Sequence, residues 1–382
     1  MNPSHLSRRS LLLASAGVLA CSRQKASGFH GYCFVANQES RSVAVVDLNR
    51  FHVRKQIPLD ARPAAVLAHS SQRRVFVLTP ETGTVYEIDA SSLAVTRRAR
   101  AGNRAAGMLL SSGKDALWVL YRDPPALVEL PLDSFRPNRR IRLSSPGICF
   151  DVGRDNQAAV ICPQDGSIVL ASLSRGTIDR TIVTRSEPSL VRYRWDARHV
   201  LVGSGSDRSV TIFDVPTGKV VVRLPLPLEP KNFCFSADDG QLFVSGEGMD
   251  AVVIIFPSST EVEQTLLAGH APGAMAVTKG DPKPPPYLLV ANPESDKVTV
   301  LNIDTRDLVA VVQVGRGPRF IRMTPDDEYA LVLNRESGDL AMIRIRSLMT
   351  PDGSTRFYRS APLFTMIPVG EKPVSAAVVG LA

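Results

Sequence analysis

The side chains able to do chemistry are scattered along the chain. Its six histidines, His5, His30, His52, His69, His199 and His270, show no His-x-x-x-His or Glu-x-x-His spacing. A transition metal needs several such ligands converging on one point, so no metal site is expected. No Cys-x-x-Cys-His run occurs, which excludes covalently attached haem. Cys33, Cys149, Cys162 and Cys234 all lie in apolar runs and read as small buried hydrophobes. Only Cys149 and Cys162, on what read as adjacent strands, stand where a disulfide is conceivable, and the geometry it demands is narrow. Gly203-Ser-Gly205 and Gly246-Glu-Gly248 lead from one apolar run into the next and not into a helix, so they read as turns and not as phosphate cradles. Asp238-Asp239 and Asp326-Asp327-Glu328 recur at one turn position, where hairpin chemistry explains them better than calcium. No cofactor is expected, and no catalytic set can be assigned.

The first residues read as an address. Ser7-Arg8-Arg9-Ser10 precedes a short apolar run that ends Val18-Leu19-Ala20-Cys21, the pattern of an export signal and too short for a membrane span. The paired arginines resemble a twin-arginine signal, and Val-Leu-Ala-Cys resembles the bacterial lipobox. That resemblance implies lipidation of Cys21 and a protein held on a membrane of the cell envelope, facing the periplasm or the exterior. Ser22 is not an acidic retention residue, which allows outer-membrane sorting. The expected division is therefore residues 1–21 as signal, 22–30 as a polar tether and 31–382 as the folded domain. Removing Arg8 and Arg9 lowers the net charge from +8 to +6. The other arginine clusters (Arg97, Arg98, Arg100; Arg139, Arg140, Arg142) fall in runs that read as outermost strands, where charge discourages edge pairing. No nucleic-acid partner is expected.

The elements that must position any site are short strands. Residues 287–334 hold five apolar runs cut by Asn, Pro, Asp or Gly, with β-branched residues prominent. The unit recurs. Pro146, Pro188, Pro230 and Pro272 stand 42 residues apart, and Arg104 stands where a proline is due between Pro63 and Pro146. After these positions comes a strand a (AAVLA, GICFDV, SLVRYRW, KNFCFS, RFIRM), whose first residue suits proline because no ladder amide is needed there. Strands b (CFVAN, LFVSG, LLVAN) and c (VAVVDL, AVVIIF, VTVLNI) follow, and then a polar, arginine-rich strand d. Four strands per period, no helical segment and eight copies predict an all-β propeller of eight four-stranded blades.

Phe34-Val35-Ala36-Asn37 with Ser42-Val-Ala-Val-Val-Asp47, and Leu289-Val-Ala-Asn292 with Lys297-Val-Thr-Val300, resemble the YVTN-type propeller repeat. The resemblance covers residues 31–380, and its known members usually have seven blades, the alternative count. A WD40 array is excluded by its own marks: the lone Trp195-Asp196 sits in an a-to-b turn and Gly269-His270 has no counterpart. With only Trp118 and Trp195, the tryptophan docking motifs of quinone-dependent dehydrogenase propellers are missing. The resulting expectation is a membrane-anchored binding or scaffold protein without catalytic activity. The alternative is a hydrolase of the lactonase type, which the repeat family also resembles. An enzyme should gather acid, base or histidine groups of perturbed pKa at the channel mouth.

Two placements follow from this topology. The chain enters at a strand b, Tyr32-Cys-Phe-Val35, and ends on an isolated strand a, Pro373–Val379, so the C-terminal strand should complete the first blade. The d-to-a and b-to-c loops share the mouth face, which puts Arg62, Arg104, Glu187, Glu229, His270 and Lys372 on one rim, a candidate site for a small polar or anionic ligand. On the opposite face, repeats 7 and 8 carry extra residues, Lys279–Pro286 and Arg346–Ser360. Pro284, Pro285, Pro286, Met349, Phe357 and Tyr358 make those loops a candidate protein-partner site.

Overall fold

The computed structural model describes residues 28–184, 186–258, 260–280, 285–348 and 361–381. They form eight antiparallel sheets of four strands each. Blade 1 takes strands b, c and d from Gly31–Asn37, Ser42–Asp47 and His52–Pro58, and its strand a from Pro373–Gly380. Blades 2 to 8 follow in order, from Ala65–Arg100 to Pro318–Pro368. The expected eight blades and the C-terminal closure are both present, with Phe34 opposite Ala377 and Val35 opposite Ala376.

The ring is held by what lies between blades. The innermost strands touch their neighbours all the way round, and each of the core clusters fills one blade–blade boundary. Strands b and c are buried on both faces, as in Val298 and Val300 with Ala330 and Val332 at the boundary of blades 7 and 8. Strand d meets solvent over most of its length, so its sequence turns polar. The outer arginines do more than discourage pairing. Arg97 donates to Glu87 on its own blade and to the carbonyl of Leu132 at 2.7 Å on blade 3, and Arg140 reaches the Ala101 carbonyl.

The asparagine of the repeat has a structural cause. Asn37, Asn292 and Asn334 end strand b, fully buried, and donate respectively to the Val369 carbonyl at 2.8 Å, to Thr299 Oγ1 at 2.9 Å and to Asp339 Oδ1 at 2.6 Å. Each packs on a glycine that closes the preceding strand d: a Cβ on Gly370, Gly269 or Gly315 would come within 2.8, 2.7 or 2.7 Å of the asparagine amide nitrogen. The motif thus locks one blade's end to the entry of the next. Pro188, Pro230 and Pro318 behave as expected, pairing at the head of strand a with a bulge that skips the residue after them, whereas Pro63, Pro146 and Pro272 stand just before strands that begin at Ala65, Cys149 and Met275. Arg104 is one place off. Ala105 aligns with the proline, and Arg104 takes the left-handed position (φ 51°) also held by Ala271 (53°) and Lys372 (53°).

Among the described residues no helix is long and apolar enough to cross a membrane.

Candidate functional site

The mouth face carries a groove of about 540 Å³ between blades 6, 7 and 8. Its wall on blade 6 is the end of strand b and the b-to-c turn, from Gly246 to Asp250, and its far side is the b-to-c turn of blade 7 at Pro293 and Glu294. His270, Ala271, Pro272 and Gly273, the entry to blade 7, run between them. Lys231 and Asn232 of one strand a and Arg319 of another complete it. Of Gly246-Glu-Gly248, read from sequence as a turn, Gly246 and Glu247 in fact end strand b, paired with Pro230 and Glu229, and the turn begins at Gly248. A Cβ on Gly246 would meet the Glu229 carbonyl oxygen at 1.8 Å, and Gly248 has φ 95°, so a side chain at either place would deform the groove wall.

His270 is the electrostatic centre. Its Nδ1 lies 3.0 Å from Asp250 Oδ2 and its Nε2 3.1 Å from Glu294 Oε2. The hydrogen bond to Asp250 raises the imidazole above its ordinary value of 6.5, and Glu294 adds to the shift. The same bond holds Asp250 below the usual carboxylate range, helped by the Ala271 amide. With both ring nitrogens facing carboxylates, the imidazolium form is favoured and donates from both. Lys231 is held above its ordinary value by its hydrogen bond to Glu229. Arg319 makes no ion pair among the described residues.

The rim foreseen from sequence is on this face, but the structure does not bring it to one point. His270 lies in the groove, and Glu229 touches it only through Lys231. Arg62 is paired to Glu39 at 2.9 Å, and Lys372 to Glu336, where each loop entering a blade meets the b-to-c turn of the blade before. Lys372 and Glu336 line a smaller hollow of about 330 Å³. Arg104 and Glu187 are exposed and make no ion pair among the described residues. Sequence reasoning missed Lys231, Asp250, Glu294 and Arg319. Asp250 and Glu294 lie between strands b and c of consecutive blades but at non-equivalent positions, since Asp250 matches Asp296 in register, so alignment of the repeats does not single them out.

Of the opposite-face residues, Pro284, Met349, Phe357 and Tyr358 lie outside the described residues, as does Cys21. Pro285 and Pro286 are tied to their own blade, their carbonyls accepting from Thr278 Oγ1 at 2.9 Å and from the Ile303 amide at 2.8 Å. The conceivable Cys149–Cys162 disulfide is ruled out by register. Cys149 is opposite Ile161, so its side chain shares that residue's face of the sheet and Cys162 points to the other. Burial pushes both thiols up to about 11.

No protein-family model matches the chain, and no curated protein matches it. Among solved structures it is similar to "Dihydro-heme d1 dehydrogenase NirN in complex with DHE", at a TM-score of 0.76 and 15% identity over 92% of this chain and 75% of that one. It is also similar to the hydrazine synthase of Kuenenia stuttgartiensis, at a TM-score of 0.55 and 18% identity over 87% of this chain and 99% of that one. What is shared is the propeller. The expectation of a scaffold without catalytic activity is corrected: both similar structures bear the names of enzymes, which does not favour a non-catalytic scaffold. At the mouth, His270, Asp250 and Lys231 are shifted by their ion pairs and face one groove.

Proposed function

We propose that the propeller takes a small carboxylate-bearing molecule in the mouth groove, with His270 holding the Asp250 and Glu294 carboxylates of the groove wall in place. The observation that carries this reading is the convergence of His270, Lys231 and Arg319 on one groove whose volume suits a small ligand. Met249, Pro272 and Pro293 supply apolar wall, and Lys231 and Arg319 supply positive charge for acidic groups. The structural neighbour in complex with DHE makes tetrapyrroles the first class to test. An iron held through His270 does not fit, because both imidazole nitrogens are engaged by carboxylates and no lone pair is left to bind it. The ligand is therefore read as substrate-like, held by charge and apolar contact.

The test is a titration of the purified domain with protoporphyrin IX, followed by its absorbance. Saturable binding is expected, weakened about tenfold in K231Q/R319Q with the melting temperature unchanged. Equal affinity in the folded variant contradicts the reading.

The chain is further proposed as an exported lipoprotein of the YVTN-type repeat family, anchored through Cys21 after removal of residues 1–20. The repeat alignment and the lipobox resemblance support this. Mass spectrometry of the mature N-terminus from native membranes checks it: an acylated Cys21 is expected, and an intact Met1 overturns it. The loops at 279–286 and 346–360 remain the proposed protein-partner face, tested by shortening both and repeating a pull-down.

A further inference from the structure

Beneath the mouth groove, the strands a of blades 5 and 8 place Arg192 and Arg322 at one level of the channel wall. Register fixes the level. Arg192 lies opposite Leu201 and Arg322 opposite Leu331, each the third residue of its strand b. Both arginines are exposed although Val191, Tyr193 and Ile321 beside them are buried, so on an innermost strand they open onto the channel. Most equivalent positions are apolar: Leu67 opposite Phe76, Leu109 opposite Trp118, Ala276 opposite Leu289 and Ala377 opposite Phe34. Two cations on this ring of small and apolar side chains are not explained by packing.

Among the described residues neither arginine makes an ion pair; Arg192 donates to the Val191 carbonyl at 3.1 Å and Arg322 to the Ala376 carbonyl at 3.3 Å. Asp151 holds the same level on blade 4, opposite Ala159, but its Oδ2 accepts the Tyr193 amide at 2.7 Å. Burial pushes the Asp151 carboxyl up against the pull of Arg192, which weakens it as a counter-ion. Cys234, on blade 6 between the arginines, is pushed up by burial to about 12 and stays neutral. Desolvation on the channel wall lowers Arg322 from its ordinary value, and a guanidinium so placed without a counter-charge gains from an acidic ligand.

We propose that Arg192 and Arg322 make this level of the channel a receptor for a dianion, two acidic groups carried apart on one small molecule. Asn232 in the groove floor is two residues above Cys234 on one strand, about 7 Å at the rise of a β-strand. The inference deepens the reading of the groove and rests on it only for the route of entry. The dianion is either a free dicarboxylate or the acidic end of a molecule whose body lies in the groove.

Calorimetric titration of the purified domain with acetate and with linear dicarboxylates from succinate to suberate tests it. Saturable dicarboxylate binding is expected, with an optimum chain length and an affinity at least about tenfold above that of acetate, because the second acidic group binds intramolecularly. R192Q and R322Q should each reduce that affinity to the level of acetate, whereas K231Q/R319Q should retain it. If K231Q/R319Q loses protoporphyrin but keeps suberate, the groove and channel sites are separate. If it loses both, the dicarboxylate binds in the groove and not at Arg192 and Arg322, which overturns the proposal. Should a glutamine variant fail to melt cooperatively, wild-type melting in the optimal dicarboxylate against equal ionic strength of chloride gives the answer, since a ligand of the native state raises the melting temperature. No rise, no saturable binding, or suberate and acetate bound equally well overturns the proposal.

Discussion

Two hollows of similar size lie on opposite faces of the ring, and they differ in how their charges are spent. The hollow between blades 4 and 5, about 460 Å³ and lined by Asp155, Asp179, Arg180, Asp196 and Arg198, holds most of its charge in pairs within single blades, with Asp155 and Arg180 outside any ion pair among the described residues. Asp179 pairs with Arg175 at 2.7 Å, Arg198 with Asp214 at 3.0 Å, and Asp196 with Arg194 and with His199 at 2.9 Å. These bonds join residues of one blade and stiffen turns. In the mouth groove the acids instead come from successive blades and converge on one histidine, while Arg319 has no carboxylate partner among the described residues. The difference is one of origin: the ion pairs of the first hollow stiffen single turns, whereas those of the groove tie two blades together around His270 and leave Arg319 facing the groove.

The comparison breaks most completely if the ring is opened. Removing residues 373–382 takes Ala376 from the core between blades 8 and 1 and Ala377 and Val379 from that between blades 1 and 2. It also leaves the edge of Gly31–Asn37 unpaired. Soluble, cooperative folding should be lost, as judged by calorimetry, and a truncated protein melting at the full-length temperature would falsify the closure on which both faces depend.

A smaller effect sharpens the contrast. Burial opposes ionisation of Asp196, yet hydrogen bonds from Arg194 and His199 hold its carboxyl down at about 2 against an ordinary 3.8. Its folded value is depressed, so its stabilisation is present above pH 3.8 and is lost as pH falls towards 2. Asp196→Asn should cost about 2 kcal/mol at pH 7 and flatten that part of the acid-unfolding curve, with protoporphyrin affinity unchanged. Denaturant melts at pH 7 and pH 3 measure the first effect. Weakened porphyrin binding in a folded D196N would show that the two faces are not independent.

The fold was legible because a propeller repeats its physics. Proline at the head of strand a, asparagine at the end of strand b and turn residues between runs each answer a local need that recurs in every blade, so register carried the reading from Tyr287–Asn334 across the chain. The site was less legible, for the same reason inverted. Asp250, Glu294 and His270 are each ordinary loop residues in their own repeats, and only the curvature of the ring brings Asp250 and Glu294 to the two nitrogens of His270. Arg192 and Arg322 were hidden inside runs that read as apolar strands, SLVRYRW and RFIRM, where the alternation of buried and channel-facing residues was not separated from the alternation of the strand. Arg97 was read as a solvated outer charge because its partner carbonyl, that of Leu132, belongs to the next blade.

Amide hydrogen exchange with and without saturating protoporphyrin IX tests the central claim most directly, since it reads both faces in one protein. Protection is expected at residues 245–251, 269–275 and 292–296 around the mouth groove, with exchange unchanged at 154–157 and 196–199 on the opposite face. Protection confined to the opposite face, or none at the mouth under conditions of demonstrated binding, would contradict the assignment of the groove as the functional site.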